Sequence, residues 1–334
     1  MRTTLSLMLI ALVAGAPAMA AAKPRDPVKV SSPKHAAGLQ SLVIASFSVA
    51  FVNEKTDAAF AGSKRQFKAM GSIVKSKLVG VGDAEFQAVT DAAYADFVAK
   101  LAAAGYTVGD RAALIADKQM AKARYVASGA RGSVQFGKDA KGKALFYAPT
   151  AFGASGLFEG ETMAGSPTGS GFGGLGALAG LMSGSMAGTQ GKLMYAVMNK
   201  QPIINVVYVV DYADAERYGG TFAYQANVTT QASLAVVETV SKVDTYNAKG
   251  ALTSLVLAEP VGIGGDFGTL ADTTSGGKKV ENVLGALIGG LGGVGSNSYS
   301  SLTFTADPVR YAAGATQATA VANARLVERL ASLR

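Results

Sequence analysis

The chain has 334 residues, 49% of them hydrophobic, with 31 Lys and Arg against 23 Asp and Glu, a single histidine and no cysteine. That length buries one large core or two modest ones, and the missing cysteines exclude disulfide frameworks, thiolate metal sites and lipid attachment through a thiol. With His35 as the sole histidine, neither a Ser-His-Asp triad nor a zinc site of ordinary ligands is expected, so the chain reads as non-enzymatic, without metal or cofactor.

Met1 and Arg2 lead into an apolar run over 5–14, and Ala18 and Ala20 form a small-x-small site. These are the parts of a secretory signal peptide over 1–20, too short in its apolar run to span a bilayer. Removing it leaves 31 − 1 = 30 basic residues against 23 acidic, a formal charge of +7. The expected location is the periplasm or the outer membrane, and the expected partner is a membrane or envelope surface or a second copy of the chain. Nucleic acid is not expected, because no basic motif carries the aromatic residues that single strands stack on. Lys64, Arg65, Lys68, Lys75 and Lys77 come nearest to a basic cluster and read as a solvated surface.

Residues 21–40, with Pro24, Pro27 and Pro33, read as an extended leader ahead of a single α+β domain over 41–334. The run 42–52 is a buried strand, punctuated at 53–57, and 73–81 is a second. Asp83 caps a helix over 83–104 whose Phe86, Val89, Ala93, Phe97 and Leu101 share one face, with Gly105 as its stop. A short strand at 106–108 follows, then a helix over 110–127 capped by Asp110. Strands are expected within 133–152 about a turn at 139–142. The run 203–210 is apolar on both faces and therefore central, while 228–246 and 251–261 form a hairpin about the turn 247–250. Leu302 and Phe304 mark a half-buried strand. Asp307 and Pro308 then open a C-terminal helix with Tyr311, Ala315, Ala318, Ala322, Leu326, Leu330 and Leu333 on one stripe. The fold class is α+β, a mainly antiparallel sheet with packed helices and two glycine-rich apolar insertions, at 161–200 and 262–298.

Between Glu161 and Lys192 no residue carries a charge, and glycines recur every fourth position at Gly165, Gly169 and Gly173, then Gly176, Gly180, Gly184 and Gly188. Leu175, Leu178, Leu181, Met182 and Met186 lie among them. A second ladder, Gly285, Gly289 and Gly293, runs among Leu284, Leu287, Ile288 and Leu291. A four-residue period matches a helical turn, so each ladder is a bare groove suited to close packing in a membrane or between subunits. The residues assigned to that association are Gly176, Gly180, Gly184, Gly188, Leu178, Leu181, Met182, Gly285, Gly289, Gly293, Leu287 and Ile288. If the flanking strands are antiparallel neighbours, each block is an oversized hairpin connection. Two formal dinucleotide fingerprints within the blocks lack the strand and helix that the chemistry needs. Asp211 and Asp214, at the end of the central strand, are the best carboxylate pair for a hydrolase, and a solvated turn is the plainer reading.

The helix ending 101–105, the strand 106–108 and the opening Asp110-Arg111-x-x-Leu114 together resemble the α/β unit of envelope proteins of the curli-secretion-channel and TolB amino-terminal type. The glycine blocks resemble the glycine-zipper segments of bacterial surface proteins. The resemblance implies a scaffold for envelope assembly or transport without catalysis, and the absent lipidated cysteine departs from the secretion-channel pattern. The function expected is an exported envelope protein associating with membrane or with itself through the glycine segments. The alternative is a soluble periplasmic binding protein for an apolar or anionic ligand.

Overall fold

A computed structural model describes residues 26–61, 70–165, 187–219, 223, 226–274, 279–282 and 298–334. The fold is α+β, as expected. In chain order, β1 (Val28–Ser31), β2 (Ser41–Ala61) and β3 (Met70–Val79) precede α1 (Asp83–Ala103), β4 (Thr107–Gly109) and α2 (Arg111–Ala116). Then come β5 (Tyr125–Val126), β6 (Ala130–Gly137), β7 (Ala140–Tyr147), β8 (Leu157–Phe158), β9 (Met163–Ala164) and α3 (Ala187–Met198). The remainder is β10 (Ile203–Tyr218), β11 (Asn227–Val236), β12 (Lys242–Tyr246), β13 (Leu252–Leu257), β14 (Val261–Ile263), β15 (Gly268–Asp272), β16 (Lys279–Asn282), β17 (Ser298–Ala306) and α4 (Pro308–Ala331).

One sheet runs in the order β1-β13-β12-β10-β2-β3-β17-β15-β16, with parallel contacts between β10 and β2 and between β17 and β3. The largely apolar run of 203–210 is central, beside the similarly apolar start of β2. Such runs lack alternation because both faces are covered. On one face Phe47 packs on Tyr94 and Phe97 of α1, and Tyr208 donates from its hydroxyl to Asn323 Oδ1 of α4 at 2.7 Å. Asn323 Nδ2 in turn donates to Ala93 O and Asp96 Oδ2, so this buried amide ties both helices to the sheet. A second cluster, with Val43, Ala45, Leu114, Met120, Phe158 and Tyr195, packs α2 and α3 against the sheet.

Several expectations are corrected. Part of the proline-bearing leader is edge strand β1, paired with β13, because Val28 is buried although Pro27 precedes it. The stretch 53–57 does not end β2. The strand passes it with a bulge between Val52 and Glu54, and Lys55 and Asp57 point inward to charged partners. Gly82 holds the cap position expected of Asp83, and its N–H donates to Glu85 Oε2. The helix expected over 110–127 stops at Ala116, because the Asp117 side chain reaches forward to accept from Gln119 N and caps a new turn at 118–120. The turn expected at 139–142 lies earlier, and Ala140 already begins β7. The strand expected over 228–246 is interrupted at 237–241, and β11 and β12 follow one another along the side of β10 opposite β2.

The hairpin reading of the glycine blocks also fails. Strand β2 lies between β7 and β10, and β13 is not a neighbour of β17. The insertions are narrower than 161–200 and 262–298, since α3 and the strands β14, β15 and β16 occupy their described parts.

Candidate functional site

The β2 and β10 strands lie side by side up to Phe51 and Val210, then part. Beyond that point β2 pairs with β3 and β10 pairs with β11. At the fork Lys55 Nζ meets Asp211 Oδ2 at 2.6 Å and Ala213 O at 2.7 Å, with both side chains buried. Asp57 Oδ1 accepts from Arg217 Nη2 at 2.5 Å. Burial raises the Asp211 carboxyl above the usual range, opposed by Lys55. For Lys55, burial pulls downward, but the Asp211 and Asp57 carboxylates outweigh it and the ammonium pKa is raised. Asp214 is exposed, and its side chain accepts from Ala215 N. The two carboxylates therefore do not converge, because they stand three positions apart on one strand and so face opposite sides of it. Asp211 is an ion-pair partner in the fork.

A second charged arrangement stands at the base of the first glycine block. Lys192 of α3 is 2% exposed and pairs with Glu161, the other charge bounding the uncharged stretch. Its ammonium also donates to Ser46 Oγ at 3.3 Å and lies 4.5 Å from the centre of the Phe158 ring. Ser46 donates to Asn205 Oδ1, so the clasp is continuous with β2 and β10. Gly188 and Gly191 let α3 approach closely. A Cβ on Gly188 would stand 2.7 Å from Phe158 Cδ1, and one on Gly191 2.6 Å from Gln119 O. Gly188, expected on an association ladder, thus packs within the chain. Gly176, Gly180, Gly184, Leu178, Leu181, Met182, Gly285, Gly289, Gly293, Leu287 and Ile288 lie outside the described residues.

Next to the clasp is a cleft of about 520 Å³ lined by Ile44, Tyr94, Val108, Arg111, Ile115 and Phe152, among others. Asp110 accepts from Ala112 N and so starts α2, which places Arg111 at the floor. The guanidinium lies 4.0 Å from the Phe152 ring centre and donates to Ala45 O at 3.1 Å and Ser155 O at 2.6 Å. Burial lowers its pKa to about 10, partly offset by Tyr125, Glu161 and Tyr94, so it stays charged at neutral pH. The lining is mostly apolar and holds both the Arg111 cation and the Asp110 carboxylate, and its buried guanidinium is the group that would meet an organic anion. Sequence reasoning singled out Arg111 only within the resemblance. Its partners Phe152 and Ser155 are some forty residues away, where no spacing rule reaches.

Among the described residues no three His, Asp or Glu side chains gather closely enough to hold a metal ion. Likewise, no helix among them is long and apolar enough to cross a membrane. Comparison with known families, with curated proteins and with solved structures found no match for this chain.

Proposed function

We propose that this chain is an exported envelope protein without catalytic activity, which associates with membrane or with its own copies through its glycine-rich segments. The observation that carries this reading is the Glu161–Lys192 clasp. The two charges that bound thirty uncharged positions are paired with each other, and Lys192 is held to the sheet through Ser46. The pairing ties the two ends of the uncharged stretch to the folded body, and glycine ladders among apolar residues suit close packing with a partner. The resemblance to envelope assembly scaffolds points the same way.

The test replaces residues 166–186 with a short Gly-Ser linker, retaining Glu161 and Lys192 so that the body keeps its clasp. Fractionation after a carbonate wash should find the native protein with membranes and the variant in solution. Native protein that is soluble after the wash would overturn the reading. The Arg111 cleft favours a second reading, a soluble binding protein for an organic anion. That reading expects a soluble native protein whose Tm rises with benzoate or octanoate and no longer does so in Arg111→Gln.

A further inference from the structure

The outward face of the sheet beyond the fork is basic, and its register shows how the charges are arranged. Side chains of residues directly opposite one another on neighbouring strands share a face. The row Lys143, Glu54, Lys77, Thr303 crosses β7, β2, β3 and β17. The next row is Lys141, Thr56, Lys75, Ser301. Two more positions along, Ala58, Ile73 and Tyr299 stand together, and then Phe60 lies opposite Gly71. The alternate residues of β2, Lys55 and Asp57, turn inward to the ion pairs of the fork. The opposite face of these strands therefore looks outward.

This surface carries Lys75, Lys77, Lys141 and Lys143, all exposed, against the single carboxylate of Glu54, which pairs with Lys143 at 2.8 Å. At its end stand two exposed aromatic residues, Phe60 at 51% and Tyr299 at 54%, with Lys75 Nζ 5.4 Å from the Tyr299 ring centre. Tyr218, 65% exposed, precedes Gly219, whose backbone approaches the Phe60 carbonyl. A flat basic field bordered by aromatic side chains matches the charge of one surface in particular. Anionic headgroups take the ammonium groups, and the rings sit at the depth where hydrocarbon begins.

We propose that the sheet face formed by Lys75, Lys77, Lys141 and Lys143, with Phe60 and Tyr299 at its edge, docks on an anionic lipid bilayer. The inference rests on the membrane partner of the preceding reading and adds a surface that does not involve the glycine segments. A polyanionic chain would use the lysines alone. The adjoining apolar side chains are what favour lipid.

The test is co-sedimentation of the purified protein with phosphatidylcholine vesicles with and without phosphatidylglycerol, at low and high salt. Binding should require phosphatidylglycerol and weaken with salt. The variant with Lys75, Lys77, Lys141 and Lys143 all changed to Gln should bind at least about tenfold more weakly. A control with Lys29, Lys34, Lys200 and Lys249 changed to Gln makes the same change in net charge elsewhere and should bind as the native protein does. Phe60→Ser with Tyr299→Ser should lose the part of the binding that survives salt. The linker variant lacking 166–186 should retain salt-sensitive binding, which separates this surface from the glycine-segment reading. Equal binding by the face variant, equal loss in the control, or retention of polyphosphate but not vesicles would each overturn the proposal.

Discussion

Glu161 and Lys192, thirty-one positions apart, form an ion pair across the base of the uncharged glycine-rich stretch, and Lys192 is almost wholly buried there. Removing one partner of such a pair leaves a charge without compensation, whereas replacing both by apolar groups is often neutral. Glu161→Ala should therefore cost about 3 kcal/mol, since it strands the more buried member. Lys192→Met should cost less, because Glu161 can reach water, and the double variant should recover most of the loss. Urea unfolding of the three variants measures this. Equal costs for the two single changes would contradict it.

The fork predicts a similar asymmetry with a larger effect. Both Lys55 and Asp211 are buried, and Lys55 also donates to Ala213 O. Asp211→Asn should lower stability by about 3 to 5 kcal/mol, and Lys55→Met with Asp211→Leu should restore much of it. Asp214→Asn, on an exposed side chain, should change the urea midpoint little. A large effect at Asp214 would show a role that its position does not explain.

Stability should fall on the alkaline side. Burial raises the phenols of Tyr208, Tyr212 and Tyr311 above their ordinary value of 10.0. Lys55 is also raised above 10.5, since the Asp211 and Asp57 carboxylates outweigh its burial. The unfolded chain releases these protons near their ordinary values, while the folded chain holds them. Their contribution is thus complete below about pH 10 and is lost as pH rises from there through the folded values. Tm followed from pH 8 upward should decline steeply past that point. Tyr208→Phe should begin from a lower Tm, having lost the Asn323 contact, and decline less steeply.

Gly191 tests the docking of α3. Its Cβ position would lie 2.6 Å from the main-chain oxygen of Gln119, which cannot move without displacing the turn at 118–120. Gly191→Ala should cost about 1 to 3 kcal/mol by overpacking. Gly188→Ala meets a ring, Phe158, that can give somewhat, and should cost less. Thermal unfolding of both variants checks the order.

What the sequence made legible was governed by local rules. The faces of α1 and α4 follow the spacing of Phe86, Val89, Ala93, Phe97 and of Tyr311, Ala315, Ala318, Ala322, and all are buried as expected. The turn 247–250 is where it was placed, with Gly250 at φ 77°. The inward charges were not legible. Lys55 and Asp57 look like punctuation after an apolar run, and only a carboxylate and a guanidinium about 160 positions away make them interior residues. Edge strand β1 was hidden for a similar reason, since its partner β13 lies more than 220 residues downstream. The charges at Glu161 and Lys192 were visible as limits of the uncharged stretch, but their pairing was not.

The route of β2 through the sheet has a consequence for how the chain comes to be. In chain order β1 and β2 precede their partners, so β1 waits for Leu257 and its neighbours, and the first half of β2, though it meets β4 and β7 sooner on one side, waits on the other for Ile203 and the strand it begins. Only the far half of β2 finds a partner at once, in β3. Pairings this distant in sequence form slowly and leave apolar strands uncovered in the meantime. A chain halted before residue 203 would hold the apolar start of β2 without β10 beside it. The middle of the sheet is therefore closed only when Ile203 and the strand it begins have been made.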